Sequence, residues 1–130
     1  MGHDRILVCD DDSDILEMIG LILADAGYEP FLAANHTDLL YYLENFRPDL
    51  ILLDIRMPEW DGFSLAEMLH ARGCTSPLMF MTAHDNTFCR VYSSALNAAG
   101  YLKKPFKPDE LLGKIDEVLQ AGAGLAQAAH

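Results

Sequence analysis

The sequence predicts an open, doubly wound α/β fold: one parallel sheet of five strands with helices packed on both faces. Short β-rich apolar runs recur at residues 6–9, 28–33, 50–53, 78–81 and 101–102, and a helical pattern follows each. The run Leu50-Ile51-Leu52-Leu53 is apolar throughout instead of alternating. A strand covered by helices on both faces requires that pattern, and strands joined through helices run parallel. A closed barrel needs eight βα units, whereas this chain of 130 residues holds five, which leaves the open sheet.

The first strand is followed by the clearest helix, at residues 13–26. There Ile15, Met18, Ile19, Ile22, Leu23 and Ala26 form an i, i+3, i+4, i+7 stripe ahead of Gly27, which ends the helix without steric cost. Pro30 removes a ladder donor from the second run, so that strand is expected at an edge or its proline at the strand's beginning. Further helices are expected at residues 37–46, 63–71, 86–98 and 108–119. Beyond Leu119 the chain turns to small residues with no periodic core face. Residues 1–120 are therefore read as one domain and residues 121–130 as a frayed tail or the start of a linker.

Composition narrows the functions open to such a domain. Nine Lys and Arg against twenty Asp and Glu give a net charge of −11, which opposes a footprint on nucleic-acid phosphates or anionic lipid. Cys9, Cys74 and Cys89 are odd in number and lack disulfide-framework or zinc-ligand spacing, so they read as small hydrophobes in a reducing cytoplasm. No run is long and apolar enough for a membrane span. His3, His36, His70 and His130 form no metal pair and are expected in solvent, while Tyr41 and Tyr42 should split between surface and core.

In an open α/β sheet, ligands bind outside the carboxyl ends of the strands. Those ends carry Asp10-Asp11-Asp12, Asp54, Thr82 and Lys103-Lys104 before Pro105. Two like charges ~5 Å apart repel by about 3 kcal/mol at an effective dielectric of ~20, so the carboxylates need a neutraliser. A hard divalent cation such as Mg²⁺, which keeps several waters and binds one or two carboxylates plus a phosphate, suits a shallow site. Lys104 can give a point charge and Thr82 a hydroxyl to a phosphoryl group, which leaves Asp54, ionised at neutral pH, as the nucleophile. Singly, each residue has a plainer reading: Asp12 or Ser13 as a helix N-cap, Asp54 as a turn residue, Thr82 as a β-former, Lys104 as a solvated charge. Their joint occurrence at strand ends is what the plain reading does not account for.

At this point the sequence resembles the receiver domains of two-component response regulators. The resemblance covers residues 5–119 and rests on Ile6-Leu7-Val8-Cys9-Asp10-Asp11-Asp12, Leu52-Leu53-Asp54-Ile55-Arg56-Met57-Pro58-Glu59-Trp60-Asp61-Gly62, Met81-Thr82-Ala83 and Gly100-Tyr101-Leu102-Lys103-Lys104-Pro105-Phe106. It implies a flavodoxin-like strand order 2-1-3-4-5. It makes Asp54 the phosphoryl acceptor and assigns Mg²⁺ to Asp11, Asp54, the Arg56 carbonyl and Asp10, the last directly or through water. Thr82 and Lys104 would hold the phosphoryl oxygens, with Lys104 placed by a cis bond to Pro105 and Lys103 pointing elsewhere. Tyr101 matches the family's aromatic switch, against the alternative of plain strand packing.

The resemblance further implies a switch rather than a metabolic enzyme. It is loaded by a histidine kinase or phosphotransfer protein and read by an output domain or protein through the surface of helix four, strand five and helix five, with a homodimer through that surface among the admitted assemblies. Arg56 and His84 stand where the family's side chains flank the path of water to phosphorus, and their bulk and charge are expected to lengthen the phosphoryl lifetime. Otherwise Arg56 faces solvent or pairs with Glu59, and His84 merely begins a loop. The segment Asn97-Ala98-Ala99-Gly100 lacks the acidic residues that many winged-helix regulators carry there, which favours a single-domain or differently paired regulator. The rival is a phosphatase of the haloacid dehalogenase type with Asp10 as nucleophile and Asp12 two residues on. A short chain and an idle Asp54 count against it.

Overall fold

The computed structural model describes residues 3–128, with side chains through residue 122. Five βα units follow one another: β1 (Arg5–Cys9), α1 (Ser13–Asp25), β2 (Glu29–Ala33), α2 (His36–Asn45), β3 (Leu50–Asp54), α3 (Gly62–Ala71), β4 (Leu78–Thr82), α4 (Thr87–Ala95), β5 (Gly100–Lys103) and α5 (Pro108–Ala128). All strand pairs are parallel, in the order β2-β1-β3-β4-β5. Pro30 lies on β2, an edge strand, opposite Ile6.

Alternate residues of a strand point to opposite faces, and here both faces are buried. Ile6 and Val8 of β1, Leu50 and Leu52 of β3, and Met79 and Met81 of β4 join α1 and α5 in one core group, with Ile19, Leu23, Leu111 and Ile115. The intervening Leu7, Cys9, Ile51, Leu53 and Phe80 join Leu39, Leu65, Leu69 and Cys89 of α2, α3 and α4 in the other. The uninterrupted apolar runs of the sequence are therefore two interleaved faces. Gly20 lets α1 approach β2, because a Cβ there would stand 2.8 Å from Leu32 Cδ1.

Four helices start on a side-chain cap: Asp12, Asn35, Asp61 and Asn86 each accept a hydrogen bond from a backbone N–H of the first turn. Two helices differ from the sequence reading. Helix α4 stops at Ala95 rather than 98, because Asn97 adopts φ 59° and the N–H groups of Asn97 and Ala98 turn back to the carbonyls of Ser94 and Ser93. Helix α5 continues through Ala128 where a frayed tail was expected past Leu119. The stretch past Leu119 is rich in alanine, the strongest helix former, which offsets the cost of Gly122 and Gly124. No helix among the described residues is long and apolar enough to cross a membrane.

Candidate phosphoryl-acceptor site

The carboxyl ends of β1, β3, β4 and β5 bring together the residues singled out by sequence. Asp10, fully buried just past β1, is held from both sides. Its Oδ1 accepts the Asp12 N–H at 2.9 Å, and its Oδ2 accepts from Lys104 Nζ at 2.6 Å. Lys104 Nζ also stands 3.5 Å from Asp54 Oδ1. Ligand atoms of Asp10, Asp11 and Asp54 lie within 4.8 Å of one another, Asp11 being the exposed member. Three carboxylates against one ammonium leave two net negative charges, and an all-oxygen donor set of that charge fits a hard divalent cation.

Asp54 ends the central strand β3 and is buried. Burial first, then the charge of Asp10, pushes its carboxyl up to about 6; Lys104 and the Arg56 backbone N–H pull the other way and do not prevail. Behind it the α3 entry is packed tight. The Gly62 N–H donates to the Ile55 carbonyl at 2.8 Å, and a Cβ on Gly62 would run into the Asp54 carbonyl oxygen. The glycine permits the loop that carries Arg56 to fold against the acceptor strand.

Thr82 ends β4, buried, with Oγ1 accepting the His84 N–H at 2.9 Å. The Lys104 N–H donates to the Thr82 carbonyl at 2.7 Å, the Lys104–Pro105 bond is cis, and Lys103 is exposed. Tyr101 is half-buried and its hydroxyl donates to Asp85 Oδ1 at 2.9 Å. The side chains of Arg56 and His84 are exposed at the rim. Glu59 stands 3.4 Å from His36 Nδ1, so the pairing of Arg56 with Glu59 is not the one formed.

His36 departs from its expected place in solvent: it is half-buried and stacks on Trp60 with ring centroids 5.2 Å apart. Together they wall a cavity of about 150 Å³ that Asp11, Asn35 and Met57 also line. His3 and His70 are exposed as expected, and His130 lies outside the described residues. Tyr41 is exposed and Tyr42 packs on the core. The Cys9 thiol, buried 3.7 Å from Met57 Sδ, is pushed up to about 12 by burial and then by Asp10 and Asp54, so it stays protonated.

The rival with Asp10 as nucleophile loses its second carboxylate, because Asp12 Oδ1 caps α1 through the Asp14 and Ile15 N–H groups. Comparison with known proteins points the same way. A family model described as the response regulator receiver domain matches residues 6–116. The transcriptional regulatory protein DltR of Streptococcus agalactiae is 40% identical over 111 residues, covering 85% of this chain and 50% of that protein. The alkaline phosphatase synthesis transcriptional regulatory protein PhoP of Bacillus subtilis is 32% identical over 118 residues, covering 91% and 49%. The chain thus spans about half the length of these curated relatives. Among solved structures, the chemotaxis protein CheY4 of Vibrio cholerae superposes with a TM-score of 0.85 at 29% identity, over 90% of this chain and 99% of that one. A CheY-like receiver domain protein from Methanospirillum hungatei gives 0.85 at 34%, over 92% and 96%. With fold, acidic cluster and sequence in agreement, the chain belongs to the receiver-domain family of two-component response regulators, the signalling switches of phosphorelays.

Proposed function

We propose that Asp54 accepts a phosphoryl group from a phosphohistidine of a sensor histidine kinase or phosphotransfer protein. The observation that carries this reading is the placement of one buried carboxylate at the end of the central strand, 3.5 Å from a lysine ammonium and within reach of two further carboxylates. A carboxyl titrating near 6 is ionised by about tenfold over its acid at pH 7, so no general base is required. An Asp54 oxygen bonds to phosphorus as the phosphorus–nitrogen bond breaks, and the electron pair of that bond stays on the departing imidazole nitrogen. Lys104 Nζ holds one phosphoryl oxygen. Thr82, whose Oγ1 already accepts from His84, keeps its own O–H proton to donate to another.

Asp10, Asp11, Asp54 and the Arg56 carbonyl are the groups that would hold Mg²⁺, which when bound supplies positive charge against the phosphoryl oxygens. Arg56 and His84, at the rim, crowd the in-line approach of water and lengthen the phosphoryl lifetime. Thr82 and Tyr101 pass the change to the face of α4, β5 and α5, which engages an output domain, a separate protein or a second copy of the chain. Self-directed transfer and self-dephosphorylation are the only chemistry assigned. A net charge of −11 makes that partner protein rather than nucleic acid or membrane, and the cytoplasm is the compartment that houses the donor. Residues 1–120 form the receiver unit, with α5 carrying on through Ala128.

Intact-mass measurement after incubation with acetyl phosphate and Mg²⁺ tests the reading. One phosphoryl group is expected on the native chain and on Asp10→Asn after longer incubation, and none on Asp54→Asn. Labelling that survives Asp54→Asn but not Asp10→Asn defeats it. Freed of donor, the native label should decay over minutes or longer, and markedly faster in the double change Arg56→Asn, His84→Glu.

A further inference from the structure

Three elements meet at one carboxylate beside the site. Asp85, in the loop between β4 and α4, accepts at Oδ1 from Arg90 Nε at 2.8 Å and from the Tyr101 hydroxyl at 2.9 Å, and at Oδ2 from Arg90 Nη2 at 2.7 Å. The Arg90 guanidinium carbon stands 5.2 Å from the centroid of the Tyr101 ring. Each member of the triad therefore touches the other two: the cation meets the carboxylate by its two-pronged edge and the aromatic ring by its face. The Arg90 bonds, then the Tyr101 bond, hold the Asp85 carboxyl below the usual carboxylate range, while burial and Asp85 push the Tyr101 phenol up. At neutral pH every donor and acceptor is in its bonding form.

We infer that Asp85 and Arg90 latch Tyr101 in its present position, and that this latch opposes the rearrangement driven by phosphorylation. The inference rests on Asp54 being the acceptor. Asp85 lies three residues beyond Thr82, and the intervening chain is tied down: the His84 N–H donates to Thr82 Oγ1 at 2.9 Å, and the Cys89 thiol reaches the His84 carbonyl at 3.7 Å. Drawing the Thr82 hydroxyl toward a phosphoryl group on Asp54 pulls on the segment that carries Asp85. The triad must then give way or hold the threonine back.

Helix α4 supplies the second reason. Its inner face is built from Cys89 and Ser93, and the buried Ser93 Oγ has no hydrogen-bond partner, while Phe88 and Val91 stand outward at 67% and 63% exposure. A buried hydroxyl left unpaired works against the seating of the helix, which α3 holds on one side through Tyr92, its ring 4.7 Å from that of Phe63 and its hydroxyl donating to Glu67 at 2.7 Å. The bonds from Arg90 to Asp85, together with the guanidinium over Tyr101, also tie the helix to the loop and to β5. They are not needed to start it, since Asn86 already caps α4.

Asp85→Ala removes the shared acceptor, and Arg90→Lys keeps the charge while losing the fork and the flat stacking face. Two readouts are taken: the phosphorylation rate with acetyl phosphate and Mg²⁺, and the ring signals of carbon-13 tyrosine without donor, with Tyr101 assigned through Tyr101→Phe. Asp85→Ala is expected to raise the rate by about fivefold, the low end of a coupling between sites. It should also move the Tyr101 signal, with no donor present, toward its position in the beryllofluoride-bound native chain. Arg90→Lys should do both to a smaller degree. If the native chain labels on Asp54 while both folded variants keep its rate and its Tyr101 signal, the latch is overturned and the acceptor reading stands. A native chain that takes no phosphoryl group overturns both.

Discussion

Lys104 is the residue on which the electrostatics of the site turn, because among the described residues it is the only cation paired within the acidic cluster, with Asp10 and Asp54 but not Asp11. It sits 2.6 Å from Asp10 and 3.5 Å from Asp54, and at the latter it does not offset burial and the charge of Asp10, which together push the Asp54 carboxyl up to about 6 from 3.8. The folded chain thus holds this proton more tightly than the unfolded chain. What Asp54 contributes to stability is greatest below pH ~4, is lost as pH rises through ~6, and stays lost above it. Asp54→Asn should therefore be more stable than the native chain at pH 7 without Mg²⁺, by on the order of 2 kcal/mol, with the gap closing toward pH 4. Urea titrations at the two pH values measure this, and an Asn variant less stable at pH 7 contradicts it. Asp10, Asp54, Thr82 and Lys104 were legible in the sequence because each ends an apolar run, and strand ends are where such sheets bind. Gly62 and Asp85 were not, because their importance is a distance across space: a missing Cβ against the Asp54 carbonyl, and a carboxylate under Tyr101 sixteen residues away.

At the scale of elements, the strands were legible to within a residue or so and the helix ends were less so. Apolar runs interrupted by polar residues define strands sharply, whereas a helix ends on backbone geometry that several residue types can adopt. Helices α1 and α3 end on glycines with positive φ, Gly27 and Gly73, and the first was recognised as a stop. Helix α4 ends in the same way on Asn97, so the apolar periodicity, which runs on to Leu96 and Ala98, overstated its length. The reversal is the same at all three ends: the N–H groups of Tyr28, Cys74 and Ala98 reach back to Leu23, Leu69 and Ser93. Asn97→Gly should then be neutral or slightly stabilising, and Asn97→Val should cost about 1–2 kcal/mol, the price of left-handed backbone for a β-branched residue. Thermal unfolding of the two variants provides the comparison, and equal midpoints would mean that this turn does not hold α4. Helix α5 departs in the opposite sense, because a stretch rich in alanine favours helix by propensity where apolar periodicity gives no signal.

The whole molecule pairs a sheet buried on both faces with a strongly negative surface and a negative cluster at one end. The fold was readable from sequence because both faces of every central strand are apolar, which admits few architectures. The population of its states was not readable, because that depends on differences between packed arrangements such as the triad at Tyr101. A cation taken up by Asp10, Asp11 and Asp54 binds the folded chain and not the unfolded one, where Asp54 is far along the chain from Asp10 and Asp11. It should therefore raise the unfolding temperature by mass action. At a concentration one hundred times its dissociation constant the gain is about 2.7 kcal/mol, on the order of 10 °C for a domain of this size. Screening of a net charge of −11 also stabilises, so the comparison must be made against NaCl at matched ionic strength. Mg²⁺ should exceed NaCl by most of that shift in the native chain, and Asp11→Asn, which removes the exposed member of the cluster, should reduce Mg²⁺ to the NaCl effect. Trp60 gives a second, optical readout, since with His36 it walls the cavity that Asp11 lines, so its fluorescence should follow the same Mg²⁺ titration. Equal shifts for the two salts in the native chain, with Trp60 silent, would show that the three carboxylates do not form a cation site.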